Sequence, residues 1–149
     1  MASIIDKRYG RELVREGEPF RLQVLTDNVS MEYPAWEIFK KTLDGPSVSV
    51  TDNVQISIVE EGPLRATLKV ERDFEGSHIV QYISLTDGAA DDRIEIANEI
   101  DWVGENAMLK ARFPTTLSNE KTAYDLGIGY IERGVNTDYA FEVVGHKWA

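Results

Sequence analysis

Apolar and polar residues alternate along much of this chain, and the alternation is the feature that most restricts its fold. Leu64, Ala66, Leu68 and Val70 alternate with Arg65, Thr67, Lys69 and Glu71. Successive side chains of a β-strand point to opposite faces, so a period of two predicts a half-buried strand. The same period over residues 48–58 predicts a half-buried strand or a pair of strands interrupted near Asp52-Asn53, and over residues 94–102 it predicts another strand.

The choice of apolar residues favours strands as well. The 149 residues include 25 valines and isoleucines but only 10 leucines. β-Branched side chains are restricted at χ1 and pack well on a pleated surface. We therefore expect an all-β chain, and no segment has a convincing helical pattern.

Turn residues separate the predicted strands at short intervals. Turns are predicted at residues 60–63, 73–77, 87–92 and 104–106, and short strands near 4–6, 12–14 and 20–26. Apolar residues occur at both parities over 78–85, which predicts a strand covered on both faces. Residues 122–132 and 139–145 are predicted as two more strands. Closely spaced strands with hairpin turns indicate antiparallel sheets packed as a β-sandwich, within a single domain over residues 1–149.

Composition excludes several functional classes. The chain has no cysteine, which excludes disulfides, thiolate zinc sites and cysteine nucleophiles. Its formal net charge of −10 argues against nucleic acid and anionic membranes as partners. The N-terminal residues lack the apolar stretch of a signal peptide. A cytoplasmic location is therefore expected.

The residues do not form a catalytic or metal-binding motif. His78 and His146 lie far apart in the sequence, and neither has a partner at metal-ligand spacing. Glu95, Glu99 and Asp101 share one strand face and could supply the carboxylates of a glycosidase, but a solvated face is the favoured interpretation. We assign no catalytic residue and no metal ligand.

Five residues have side chains that could contact a ligand. Asn98 lies at an apolar parity, where its amide is expected to be buried and to need hydrogen-bond partners. The favoured interpretation is a bulge or a structural hydrogen bond, and the alternative is an amide that faces a ligand. Trp102 follows the apolar parity and is expected in the core. Trp36 and Trp148 could stack on sugar rings, and His146 is close to Trp148.

Several segments together resemble glycoside hydrolase family 38, the α-mannosidases. In chain order, these segments are Ile5–Glu12, Tyr33–Ile38, Glu61–Ala66, Glu99–Trp102, Met108–Pro114, Ile131–Gly134 and His146–Ala149. They resemble the family's "D-K-TG-E", "YDAWDI", "-GP-RA-", "VDW", "LLK…FP", "-ER-" and "H-WADLS" motifs. Trp102-Val103-Gly104-Glu105 departs from the family's "DW-HE" version, since it lacks the usual histidine.

The resemblance implies a fold and a missing partner. The fold is the C-terminal β-sandwich region of an α-mannosidase, a supersandwich similar to galactose mutarotase. The family's catalytic domain lies N-terminal to this region and carries the zinc ligands, the nucleophile and the acid. No catalytic residue is transferred to this chain, which is expected to be a fragment with no cofactor of its own.

The leading hypothesis is a non-catalytic β-domain that braces the catalytic domain of an α-mannosidase and borders its sugar site. The parent would hydrolyse terminal α-mannosides with zinc by a retaining mechanism. The alternative is a free-standing carbohydrate-binding sandwich that uses Trp36, His146 or Trp148. A third is an interaction domain without a ligand. Expected partners are the parent catalytic domain, mannosides and, through exposed strand edges and apolar surface, a second copy of the chain.

Overall fold

The computed structural model describes residues 1–27, 38–88, 93–134, 141–143 and 145–149. Its strands are β1 (Ile5–Asp6), β2 (Arg11–Glu12), β3 (Arg21–Thr26), β4 (Ser47–Ser49), β5 (Asp52–Glu61), β6 (Arg65–Phe74), β7 (Ser77–Thr86), β8 (Ile94–Asp101), β9 (Ala107–Arg112), β10 (Lys121–Asp125) and β11 (Tyr130–Gly134). Helix α1 (Lys40–Leu43) is a single turn that the sequence did not predict. The prediction of an all-β, antiparallel sandwich class is confirmed.

The chain divides into two compact units. The first contains residues 1–47 and 108–149, and the second contains residues 48–107. The prediction of one domain over residues 1–149 stays a prediction.

The first unit is built on short sheets. β1 pairs with β2, β10 pairs with β11, and β3 pairs with β9. Four consecutive residues of β3, from Leu22 to Leu25, are buried, so both faces of this strand are covered. Phe20 and Phe113 add an edge-to-face ring contact with centroids 5.1 Å apart.

The second unit is one antiparallel meander in the order β5-β6-β7-β8. Glu75 and Gly76 form the turn between β6 and β7, with φ of 47° and 85°. A two-residue hairpin turn with positive φ at both positions suits the twist of the flanking strands. The predicted turn at residues 73–77 is confirmed.

The core of the second unit is small. It contains Val50, Val70, Phe74, Ile79 and Val80, all of which are buried. Ile79 and Val80 are adjacent in β7, so both faces of that strand are covered there, as the mixed parity predicts. Leu85, at the other end of β7, is 55% exposed, so the cover does not extend over the whole strand.

Three predictions about individual strands are wrong. β5 was expected to be half-buried, but no residue of it is buried. Residues 122–132 form two strands instead of one, because Gly127, at φ 87°, lies in a tight turn between β10 and β11. Residues 141–143, inside the strand expected at 139–145, are not strand; residues 139, 140 and 144 lie outside the described residues.

Candidate functional site

The C-terminal segment 145–149 is attached to β10 through Asp125, a buried residue with 6% exposure. The Asp125 carboxylate accepts hydrogen bonds from the backbone N–H groups of Gly127 (2.8 Å) and Lys147 (3.1 Å). The Asp125 N–H donates to the carbonyl of Trp148, and the His146 N–H donates to the carbonyl of Asp125, both at 3.1 Å. One acidic side chain and its backbone thus fix the segment that carries His146 and Trp148.

Trp148 lies at the edge of an open groove of about 680 Å³. Its side chain is 51% exposed, and its ring centroid lies 6.5 Å from that of Tyr130 at a 42° tilt. Ser118, Asn119 and Thr122 contribute polar groups to the same groove. An exposed tryptophan beside hydroxyl and amide groups is an arrangement that could hold a polar ring.

The other two expected binding residues are not brought to this groove. His146 is exposed but is not among the residues that line it. Trp36 lies outside the described residues. The expectation that these three residues bind carbohydrate therefore stays a prediction, and Trp148 is the one for which the structure provides a groove.

The four-stranded sheet has one apolar face. The strand registers align Ile58, Leu68, Ile83 and Ile96 in one cross-strand row, and Ile56, Val70, Gln81 and Asn98 in the next. Leu85 and Ile100 lie on the same face in the flanking rows. Ile56 is 65% exposed and Ile58 62%, so this face presents large aliphatic side chains to solvent. We call it the apolar sheet face.

Asn98 lies on this face as its parity predicts, but it is exposed, so the expectation of a buried amide is wrong. Its Oδ1 accepts a hydrogen bond from Nε2 of Gln81 at 2.8 Å, and its Nδ2 donates to the carbonyl of Ile96 at 3.3 Å. The expected structural hydrogen bond is present. It pairs two amides across neighbouring strands, at an exposed position because β8 lies at the edge of the sheet.

Trp102, which was expected in the core, is only half-buried and packs at one end of the second unit. Its ring is stacked parallel to that of Phe74, with centroids 6.4 Å apart and an interplanar angle of 1°. Gly104 lies against this ring, since a Cβ built there would lie 2.5 Å from Cζ2 of Trp102. Only a residue without a side chain fits, which is a physical reason for glycine two positions after the tryptophan.

The opposite face of the sheet is polar. Glu60, Thr67, Ser84 and Glu95 lie directly opposite one another on the four successive strands. The register shifts between Ile58 and Glu60, and this irregularity at Val59 moves Glu60 to the polar face. These residues, with Arg65 and Tyr82, line a concave site of about 410 Å³ that we call the polar pocket.

Arg65 and Glu60 form a two-point ion pair in the polar pocket. Nε and Nη2 of Arg65 each donate to a different carboxylate oxygen of Glu60 at 2.7 Å. The hydrogen bonds from Arg65, and then that from Thr67, lower the pKa of Glu60. The same contact with Glu60 raises the pKa of Arg65. Both side chains are therefore charged over the whole neutral range.

The sequence did not predict this pocket. It indicated a turn at Glu60 and a solvated face at Arg65, Thr67 and Glu95. The available signal was the break in alternation at Ile58-Val59-Glu60, where two apolar residues are adjacent. The expectation that Glu95, Glu99 and Asp101 are solvent-exposed is confirmed, since all three are.

Metal ligands are not grouped in the part of the chain that the structure describes. No three His, Cys, Asp or Glu side chains lie together there. The described residues therefore do not fit the zinc that the family resemblance implies for a different domain. Among the same residues, no helix is long and apolar enough to cross a membrane. The cytoplasmic location stays a prediction.

Comparison with known proteins identifies the family. The sequence model of the glycosyl hydrolases family 38 C-terminal domain matches residues 1–149. The chain belongs to this family, as the motif order indicates. The match covers both compact units, so neither one alone accounts for the resemblance.

The curated relatives are much longer proteins. Alpha-mannosidase G of Dictyostelium discoideum is 28% identical over 99% of this chain, which covers 14% of that protein. Alpha-mannosidase 2C1 of Homo sapiens is 25% identical, and the Mus musculus protein of the same name is 24% identical; the chain covers 15% of each. The chain thus spans about a seventh of the length of the relatives it matches.

Proposed function

We propose that this chain is a non-catalytic β-domain of a family 38 α-mannosidase, where it braces the catalytic domain and borders the sugar site. The parent would hydrolyse terminal α-mannosides with zinc bound in another domain. Two observations support the proposal: the family match covers the whole chain, and three relatives that carry the same region are named alpha-mannosidases. In those relatives the region is embedded in a polypeptide about seven times as long.

The apolar sheet face is the observation that carries the bracing role. Ile56, Ile58 and Leu85 are each more than half exposed, and they belong to adjoining rows of one sheet. A sheet with an apolar face is normally covered by a second layer about 10 Å away. A contiguous apolar surface of this kind is typical of an interaction site. The remainder of an α-mannosidase would supply that layer.

The charges of the sheet fit this role. Four cross-strand rows of the apolar sheet face contain two charged residues, Glu61 opposite Ala66 and Arg72 opposite Ile79, and Nε of Arg72 is buried without a hydrogen-bond partner. Burial lowers the pKa of Arg72.

The test uses an α-mannosidase-length polypeptide that contains this chain. Ile58→Asp is expected to lower its thermal unfolding temperature and to reduce its activity toward an aryl α-mannoside, because a charge would be buried in the interface. Ser57→Asp is the matched control, because Ser57 precedes Ile58 on the same strand and faces the other side. Equal effects of the two substitutions would rule out bracing through this face.

A second candidate function is carbohydrate binding, which the groove at Trp148 favours. The exposed indole and the hydroxyl and amide groups beside it could hold a mannoside in the absence of any catalytic domain. Titration of the chain with methyl α-mannoside, followed by tryptophan fluorescence, tests this candidate. Trp148→Ala should abolish the signal and Trp148→Phe should retain part of it. A fluorescence change that survives Trp148→Ala would count against the groove.

A further inference from the structure

The polar pocket has a buried floor made of two hydroxyl groups. Thr67 is 5% exposed and Ser84 is 9% exposed, although both lie on the polar face of the sheet. Their oxygens lie 2.9 Å apart, and the Thr67 hydroxyl also donates to Oε2 of Glu60. Short polar side chains are buried here because the longer ones of Glu60, Arg65, Tyr82 and Glu95 rise around them.

The walls offer donors and acceptors in fixed positions. The two-point contact between Arg65 and Glu60 fixes the planes of a guanidinium and a carboxylate on one side. Arg65 uses two of its N–H donors in this contact, and its remaining donors are available to a ligand. Glu95 lies on the edge strand β8 at the other side, with one carboxylate oxygen 2.6 Å from Arg93. Tyr82 adds an aromatic ring.

The charges of the pocket select the class of ligand. Glu60 is balanced by Arg65, and Glu95 is balanced by Arg93. A cation would meet the Arg65 guanidinium, and an anion would meet two carboxylates on a chain whose net charge is −10. A neutral ligand with adjacent hydroxyls would donate to the carboxylates and accept from the guanidinium at the same time.

We propose that the polar pocket binds a neutral saccharide, with Tyr82 as its apolar wall and with Glu60, Arg65 and Glu95 as its hydroxyl-recognising groups. A volume of about 410 Å³ lies within the range of small-molecule sites. This site is on the opposite face of the sheet from the apolar sheet face. It is also separate from the Trp148 groove, since the two share no lining residue. The inference therefore holds whether or not the bracing role is correct.

The test is an amide NMR titration of the 149-residue chain with methyl α-D-mannopyranoside, with mannose 6-phosphate as the anionic comparison. We expect saturable shifts at the amides of Thr67, Ser84 and Glu95, with a Kd of ~1 mM or below. The phosphate is expected to bind at least about tenfold more weakly, because it adds negative charge beside two carboxylates.

Two substitutions and one matched control assign the binding to this pocket. Glu95→Gln should weaken binding about tenfold, because it removes a charged hydrogen-bond acceptor. Tyr82→Ala should weaken it by a similar factor. Glu99→Gln is the control, since Glu99 lies on the same face of β8 and does not line the pocket. Because Glu95 is exposed, Glu95→Gln is expected to leave the fold intact. It therefore tests the proposed binding site even if Tyr82→Ala perturbs folding.

Three results would overturn the proposal. The first is the absence of saturable shifts in the unaltered chain. The second is a Kd that changes equally in Glu95→Gln and Glu99→Gln. The third is a set of shifts that map to residues around Trp148 and leave Thr67 and Ser84 unaffected. None of these results bears on the bracing role, which is measured through the apolar sheet face.

Discussion

Ile58 lies directly opposite Leu68 on the β5–β6 ladder, and both side chains face solvent, with 62% and 42% exposure. An isolated protein rarely leaves such a pair uncovered when its neighbours in the same row are also aliphatic. The row continues through Ile83 to Ile96 on the other two strands. This relationship is the basis of the bracing proposal and of the first prediction.

The isolated chain is expected to self-associate through the apolar sheet face. When no other domain is present, a second copy of the chain can pack on this face. The face carries almost no charge that would oppose the association of two copies. Sedimentation velocity over a range of protein concentrations should show a dimer. Ile58→Asp should return the chain to a monomer, while Ser57→Asp should not. A chain that stays monomeric at the highest concentration would contradict the prediction.

Gly104→Ala is expected to destabilise the second unit by about 1–3 kcal/mol, the usual cost of overpacking. The added Cβ would lie 2.5 Å from Cζ2 of Trp102 and would force the ring away from Phe74. Gly62→Ala is the control, since its Cβ would meet its nearest atom at 3.5 Å, an ordinary contact. Urea unfolding measures both. If Gly104→Ala lowers the free energy of unfolding no more than Gly62→Ala does, the Trp102 ring can move aside and the prediction is contradicted.

Glu12 should make the first unit sensitive to acid. Hydrogen bonds from Ser3, then from the backbone of Ile4 and Val14, lower its pKa to about 2 from the ordinary 4.5. A pKa that is lower in the folded state stabilises the fold above the unfolded pKa, and this contribution disappears as pH falls from 4.5 through 2.

Comparing the pH dependence of unfolding in the unaltered chain and in Glu12→Gln measures this effect. The two curves should converge as the pH falls toward 2, and the unaltered chain should be more stable above 4.5. Glu16→Gln, at an exposed position, controls for the loss of one acidic residue. Parallel curves for the unaltered chain and Glu12→Gln across this window would contradict the assignment.

The chain alone is expected not to hydrolyse an aryl α-mannoside, because the resemblance places the nucleophile, the acid and the zinc ligands in another domain. Incubation of the purified chain with the substrate, with and without added zinc, measures this. Turnover that co-purifies with the chain and persists after a second, independent purification would contradict the expectation.

The alternation of apolar and polar residues predicted the positions of the strands well, because it is a property of the local sequence. The strands from β6 to β8 and the turn at Glu75-Gly76 follow from local pattern and turn chemistry. The burial of each side chain could not be predicted in the same way. Ile56 and Ile58 alternate with polar residues as core residues do, but the local sequence does not show whether another layer covers them. The same limit applies to Asn98, whose parity is right and whose exposure depends on the edge position of β8.

The polar pocket was missed for a different reason. Its floor depends on a one-residue irregularity at Val59, which moves Glu60 to the face that carries Thr67 and Ser84. A strict period of two places Glu60 with Ile58 instead. The hairpin of β10 and β11 was missed because one strand was predicted over residues 122–132, although Gly127 within it adopts a positive φ that is typical of a turn. For Trp148 and His146, sequence proximity did not reveal that Asp125 fixes their segment.

The bracing role is tested most directly by thiol labelling, since the chain has no cysteine of its own. Ile58→Cys and Ser57→Cys place single thiols on opposite faces of β5. Their labelling is compared by mass spectrometry in the isolated chain, diluted until sedimentation shows a monomer, and in an α-mannosidase-length polypeptide that contains it. We expect Ile58→Cys to react at least about tenfold more slowly in the longer polypeptide and Ser57→Cys to react equally in both. Equal reactivity of Ile58→Cys in both would contradict the proposal that the remainder of the enzyme covers the apolar sheet face.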